Sequence, residues 1–304
     1  MTTTTAAPFG RLMTAMITPM TSDGAVDYDG AARLAAYLVD DMRNEGLVVN
    51  GTTGEAPTTT DEEKSRVVKA VLEAVGDRAS VVAGVGTNIT AHSIELARQA
   101  ERAGAHGLLV VTPYYSRPAQ DALAAHFTQV ADSTGLPVIV YDVPARTATA
   151  VAADTLIRLA QHPRIVAVKD AKGDIAASSQ VLAHTDLAYY SGDDPMTLPL
   201  LAVGGIGIVS VTAHVVGDRI FEMIEAFANG RNAEASRLHL SMLPVNVGLF
   251  RNQAAVMTKA AMDLLGLPGG GVRGPLLPAS AAERQTLRAD LTAGGVKLPD
   301  EGTM

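Results

Sequence analysis

The sequence predicts an α/β fold: a (β/α)8 TIM barrel followed by a small helical C-terminal domain. Three observations carry that reading. Eight short runs are almost wholly apolar, as parallel strands buried on both faces must be. Longer amphipathic segments separate them, and that alternation implies crossover connections and a parallel sheet. Eight such units within roughly 200 residues favour closure into a barrel over an open sheet.

Taken in order, the strands are expected at Leu12–Pro19, Gly46–Gly51, Ser80–Gly86, Gly107–Pro113, Pro137–Pro144, Ile165–Asp170, Leu187–Gly192 and Gly207–Ala213. Helices are expected at Tyr28–Arg43, Asp61–Val75, Ala91–Ala103, Ala119–Ser133 and Ala153–Gln161. Thr60 followed three residues later by Glu63 is a capping box, so the second of these should start at Asp61. After the eighth strand the pattern becomes helical, with segments at Arg219–Asn229, Ala233–Leu243 and Val256–Leu265 and a last helix beginning near Ser280. Residues 1–10 read as a disordered tail, 11–230 as the barrel and 231–304 as the helical domain.

Composition excludes whole classes of chemistry. The chain has no cysteine, so disulfides, thiolate nucleophiles and iron–sulfur clusters are ruled out. A net charge of −8 and the lack of any Lys/Arg-rich run leave no footprint for nucleic acid. No positive n-region precedes an apolar h-region, and no long apolar stretch lacks charges and breakers, so a cytoplasmic protein without membrane contact is expected.

In a barrel of this kind reactive groups gather at the C-terminal ends of the strands. Strand 2 ends in Gly51-Thr-Thr-Gly-Glu55, whose backbone amides and hydroxyls suit a small carboxylate, although an ordinary turn has the same composition. Strand 4 ends in Tyr114 and Tyr115, which could serve as acid/base groups but by themselves read more readily as packing. Tyr141 faces the barrel mouth if Val140 points outward, and Arg146 follows in the loop, where a guanidinium can grip a carboxylate, although a solvated loop charge is the plainer reading of it. Strand 6, Ile165-Val-Ala-Val-Lys-Asp170, places an ammonium in an apolar run. Burial lowers a lysine's pKa, and only the neutral amine attacks a ketone. The plain alternative is a lysine that snorkels to water or pairs with Asp170. Strands 7 and 8 end in Ser191-Gly-Asp-Asp194 and around Val209, weak signals for backbone contacts. His106, His126, His162 and His184 lack metal-ligand spacing and read as structural.

Five motifs in order, Gly-Thr-Thr-Gly-Glu at 51–55, Val-Thr-Pro-Tyr-Tyr at 111–115, Tyr-Asp-Val-Pro-Ala-Arg-Thr at 141–147, Val-Lys-Asp-Ala at 168–171 and Ser-Gly-Asp-Asp at 191–194, resemble those of the dihydrodipicolinate synthase / N-acetylneuraminate lyase family. The resemblance covers about Arg11 to Leu291. It implies a class I aldolase-type lyase in which Lys169 forms an imine with C2 of pyruvate and Tyr141 relays protons. It implies that Thr52 links Tyr141 to Tyr115 reaching in from a neighbouring subunit, within a homotetramer built as a dimer of dimers. Thr53 would hold the pyruvate carboxylate, Arg146 that of the second substrate, and Gly192 and Val209 would contact the lysine. No metal or organic cofactor is called for. An arginine after Tyr141 and a Gly-Thr-Thr-Gly-Glu motif resemble the branch that condenses pyruvate with L-aspartate 4-semialdehyde toward diaminopimelate and lysine. The alternative is a lyase for a 2-keto-3-deoxy sugar acid or N-acetylneuraminate.

In lysine-inhibited members the resemblance places an effector site at a subunit interface. Its positions correspond here to Ala56, Asp61, Lys64, Asn88, His92 and Tyr114. His92 stands where a carboxylate would hold the effector's amino group, and Lys64 is expected to add a like charge. Weak or absent lysine inhibition follows.

Overall fold

The computed structural model describes residues 7–299. Eight parallel strands close a barrel in the order of the chain, β1 next to both β2 and β8. The first half runs β1 Leu12–Ala15, α1 Tyr28–Asp40, β2 Gly46–Val49, α2 Asp61–Val75, β3 Ser80–Gly84, α3 Thr90–Ala103, β4 Gly107–Val111 and α4 Gln120–Asp132. The second half runs β5 Val138–Asp142, the short α5 Pro144–Thr147, α6 Ala153–Leu159, β6 Ile165–Asp170, α7 Ile175–His184, β7 Ala188–Ser191, α8 Thr197–Ala202 and β8 Gly207–Ser210. Then α9 Ala213–Ala228, α10 Asn232–Leu249, α11 Ala254–Leu264 and α12 Ala281–Ala293 complete the chain. The boundary expected near residue 230 lies in the turn between α9 and α10, which pack side by side.

Side-chain alternation separates two cores. Met13, Val48, Val82, Leu109, Ile139, Ala167 and Val209 fill the barrel interior. Val49, Val81, Leu108, Val140 and Val168 point outward and meet the helices. Each strand is thus apolar on both faces, and this is why the runs read as continuous. Most strands stop two to four residues short of the expected ends. Most of the residues just past these ends remain buried, and some, such as Met16 and Val85, still donate to the neighbouring strand.

Three local expectations are corrected. The tail expected through residue 10 is packed from Ala7 onward, while residues 1–6 lie outside the described residues. Phe9 is only 2% exposed and closes the bottom of the barrel, where a Cβ on Gly107 would lie 2.5 Å from its ring. The Tyr190 hydroxyl donates to Gly10 O at 2.8 Å, and the Glu45 carboxylate accepts from Arg11 N and Leu12 N at 2.6 and 3.1 Å. A single aromatic in a polar, Thr-rich start carried too little periodicity to reveal this. Second, α10 continues through Pro244 instead of stopping at Leu243. Proline disfavours a helix interior, but Val245 and Leu249 are fully buried beyond it and hold the last turns in place. Third, α7 and α8 were not among the expected helices. The first is rich in Ala and Ser with little polar contrast, and the second is a single short stretch containing a proline.

The capping box at Thr60 is present, with Glu63 N–H donating to the Thr60 hydroxyl at 3.2 Å and Thr60 N–H to the Glu63 carboxylate at 2.8 Å. An equivalent box, Ser280 with Glu283, starts α12. No helix among the described residues is long and apolar enough to cross a membrane.

Candidate active site

Strands β5 and β6 carry the centre of the site. Tyr141 and Lys169 are direct partners in register after a shift near Val138/Ile139, and strand alternation places them on the same face as the interior residues Ile139 and Ala167. Lys169 is buried, and its Nζ lies 4.2 Å from the centre of the Tyr141 ring. Asp170, the partner offered by the plain reading of this lysine, faces away. It accepts from the Ser178 hydroxyl at 2.7 Å and from Lys172 N–H at 2.9 Å. With no counter-ion bonded to it among the described residues, the buried Lys169 amine is pushed down to about 7, chiefly by loss of hydration. The Arg146 guanidinium pushes the same way, and the nearby Asp194 carboxylate opposes both.

Asp194 was unremarkable in the sequence beyond its Ser-Gly-Asp-Asp setting. It is buried, and its carboxylate accepts from Ser210 Oγ, from Thr212 Oγ1 at 2.6 Å and from Val211 N at 3.1 Å. It therefore ties the exits of β7 and β8 together behind the lysine. Gly192 sits against the same side chain. A Cβ there would come within 3.1 Å of both Cγ and Cε of Lys169 and 2.9 Å of Ala171 Cβ, so a side chain would displace the amine. Val209 is buried among the interior residues.

Tyr141 is buried, which pushes its phenol pKa up; Arg146 and a hydrogen bond from the Thr52 hydroxyl pull the other way. Thr52 therefore lies near enough to act on the Tyr141 phenol, with the buried Thr53 next to it in the chain. Arg146 lies on α5, exposed at the mouth and close enough to act on both Tyr141 and Lys169. Tyr115 is not gathered with the others. It is 91% exposed and holds a left-handed φ of +73°, unusual for a bulky residue.

The Thr52–Thr53 turn is held from below by a network that sequence reading missed. Glu55 adopts φ +56°, and its buried carboxylate accepts from Lys259 Nζ at 2.5 Å and from Arg273 N–H at 2.9 Å. Lys259 also donates to Gly271 O at 2.6 Å, and Arg273 forks onto Glu63 at 2.6 and 2.8 Å. A lone lysine inside the apolar segment Ala254–Ala261 was the available signal. Removing one partner of a fully buried pair strands the other charge, at a cost of about 3–5 kcal/mol. Lys259→Met should therefore lower the unfolding midpoint sharply in a denaturant titration. Glu55→Gln/Lys259→Met, which strands no charge, should recover part of that loss. Equal stability of the two variants would remove Glu55–Lys259 as the anchor.

The positions aligned with an effector site are altered in a way the sequence only half suggested. His92 Nε2 pairs with Asp61 Oδ2 at 2.9 Å. Lys64, expected to add charge to the cleft, is instead buried, and its ammonium donates to Thr59 O.

A closed (β/α)8 barrel holding a buried lysine of lowered pKa and a tyrosine in register at its mouth is the arrangement of lysine-dependent aldolase-type lyases. Within that class, the chain belongs to the dihydrodipicolinate synthetase family, whose model matches residues 8–294. It is 63% identical over 296 residues to a 4-hydroxy-tetrahydrodipicolinate synthase of Acidothermus cellulolyticus, covering 97% of this chain and 96% of that one. It is 57% identical over 297 residues to 4-hydroxy-tetrahydrodipicolinate synthase 2 of Streptomyces coelicolor, covering 98% and 99%. A crystal structure of dihydrodipicolinate synthase from Bacillus anthracis superposes with a TM-score of 0.91 at 42% identity, covering 93% of this chain and 98% of that one. The enzyme from Cyanidioschyzon merolae, solved with lysine bound, superposes with a TM-score of 0.94 at 39% identity, covering 96% and 100%.

Proposed function

We propose that this chain is a 4-hydroxy-tetrahydrodipicolinate synthase that condenses pyruvate with L-aspartate 4-semialdehyde, in the route to diaminopimelate and lysine. The observation that carries the mechanism is the buried Lys169 amine, 4.2 Å from the centre of the Tyr141 ring, where burial lowers its pKa. Lys169 Nζ attacks C2 of pyruvate, and loss of water from the carbinolamine leaves an imine. The imine draws electrons from the methyl group, so loss of a C3 proton gives an enamine. C3 then attacks the aldehyde carbon of the semialdehyde, whose oxygen takes up a proton. The amino group of the same substrate displaces Lys169 from C2, closing the ring and freeing the enzyme. Tyr141, linked to Thr52, moves protons at these steps. Thr53 and adjacent amides hold the pyruvate carboxylate, while Gly192 and Val209 pack about the lysine.

Arg146 supports a carboxylate-bearing aldehyde over a sugar-derived one, since its guanidinium stands free at the mouth and can bind two oxygens at once. The exposed, strained Tyr115 fits a side chain supplied to a neighbouring copy, within a homo-oligomer taken to be a tetramer. The test is a coupled reductase assay with both substrates alongside a panel of polyhydroxylated aldehydes. Product from the semialdehyde alone supports the reading, and turnover of sugar-derived aldehydes with none of the semialdehyde overturns it.

Regulation should differ from that of lysine-inhibited relatives. With Ala56 in place of a polar side chain, Lys64 turned inward and His92 engaged by Asp61, the groups that would hold an amino acid's ammonium are gone. Initial rates should stay within about twofold up to millimolar lysine, whereas half-inhibition at low micromolar lysine would show an intact effector site.

A further inference from the structure

One buried charge pair lies at the exits of the two central strands. Asp142 follows Tyr141 at the end of β5, and Lys172 lies three residues beyond Lys169. Lys172 Nζ donates to Asp142 Oδ2 at 3.1 Å, with the lysine side chain 9% exposed and the carboxylate fully buried. Both groups also grip one residue at the far end of the Arg146 loop. Val151 N–H donates to Asp142 Oδ1 at 3.2 Å, and Val151 O accepts from Lys172 Nζ at 3.3 Å. The carboxylate at the start of the loop therefore closes it onto its own end.

The opposite flank of the same segment is held in the same manner. Gln120, the first residue of α4, donates to Ala150 O and accepts from Ala152 N–H, both at 2.9 Å. Two sets of side chains thus satisfy four successive backbone groups, as the neighbours of a strand would. Between these fixed ends the loop is hydrogen-bonded to itself. Val143 O accepts from Arg146 N–H at 2.9 Å and Thr147 N–H at 3.1 Å, and Ala148 completes the turn at φ +59°. A pair of apolar side chains would fill the space of Lys172 and Asp142 without desolvating two charges. It would leave the Val151 N–H and C=O without partners.

We propose that the Lys172–Asp142 pair is a positioning device for the second substrate, pinning Val151 so that the Arg146 loop holds its guanidinium over the barrel mouth. The proposal rests on the reading that Arg146 binds the carboxylate of the semialdehyde. It makes the pair specificity-determining for that substrate and silent toward pyruvate, which binds beneath.

Three variants test it by steady-state kinetics with each substrate varied. Lys172→Met should raise KM for the semialdehyde about tenfold, while KM for pyruvate and borohydride trapping with pyruvate stay within about twofold. Arg146→Ala should raise the same KM, and Lys172→Met/Arg146→Ala should be no worse than Arg146→Ala alone, because the two act through one contact. Asp142→Asn/Lys172→Met strands no charge and keeps an amide oxygen for Val151, so it remains informative if Lys172→Met folds poorly. It should melt like the parent yet still bind the semialdehyde at least about fivefold more weakly. The proposal is overturned if the neutral pair binds the semialdehyde normally, if both KM values rise together, or if the effects of Lys172→Met and Arg146→Ala multiply. An unchanged semialdehyde KM in Arg146→Ala alone would remove the role of Arg146 itself, and with it the device. That failure is told apart because it is read in a variant with Lys172 intact.

Discussion

Lys169→Arg should abolish turnover, lowering kcat by on the order of 10⁴-fold or more, because a guanidinium stays protonated and cannot add to a ketone. Borohydride trapping with pyruvate should disappear in the same variant, which ties the loss to covalent chemistry. A trapped adduct on any other lysine would move the nucleophile elsewhere. In the parent enzyme the pH profile should carry the mark of the buried amine. Its pKa is lowered to about 7, so the amine is mostly protonated below that pH and free above it. The value of kcat/KM for pyruvate should then fall about tenfold per pH unit on the acid side of 7 and flatten above it, since this parameter reports the free enzyme. An acid limb that persisted only near pH 10 would mean that Lys169 is hydrated and not held as described.

Tyr141→Phe should cost about 10²–10⁴ in kcat, the usual worth of a positioned proton-transfer group, with KM for pyruvate changed only a few-fold. The ring over Lys169 is kept, so the amine's surroundings are preserved and only the hydroxyl partner of Thr52 is lost. Deuterium exchange into the pyruvate methyl group, followed by NMR without the aldehyde, isolates the enamine step. Exchange that proceeds at the parental rate would assign Tyr141 to a later step or to none.

The parts of this site that stood out in the sequence were exceptions to a pattern. Lys169 is a charge inside an apolar strand, and the two-residue period of β5 sends Tyr141 inward once Val140 is outward. Arg146 was less distinct, since a loop arginine is ordinarily just solvated. What stayed hidden depends on partners distant in the chain. Glu55 and Lys259 meet across 204 residues, and Asp142 and Lys172 across 30. No local period records such a meeting. Lys172 carries no local signal after its strand, and it is the pairing of β5 with β6 that brings it to Asp142 and Val151. The strand order and most helix positions were legible because they follow from periodicity, while Phe9 and the turns of α10 beyond Pro244 were decided by burial that no window of sequence displays.

The seat of Phe9 under the barrel also has a practical side. The chain enters the described structure at Ala7 on the face that carries the N-terminal ends of the strands, opposite the mouth where Lys169, Tyr141 and Arg146 lie. An attachment made at Ala7 would therefore sit on the floor of the molecule. An enzyme immobilised there would keep its opening turned toward solution. Shortening the leader into Phe9, by contrast, would uncork the barrel from beneath.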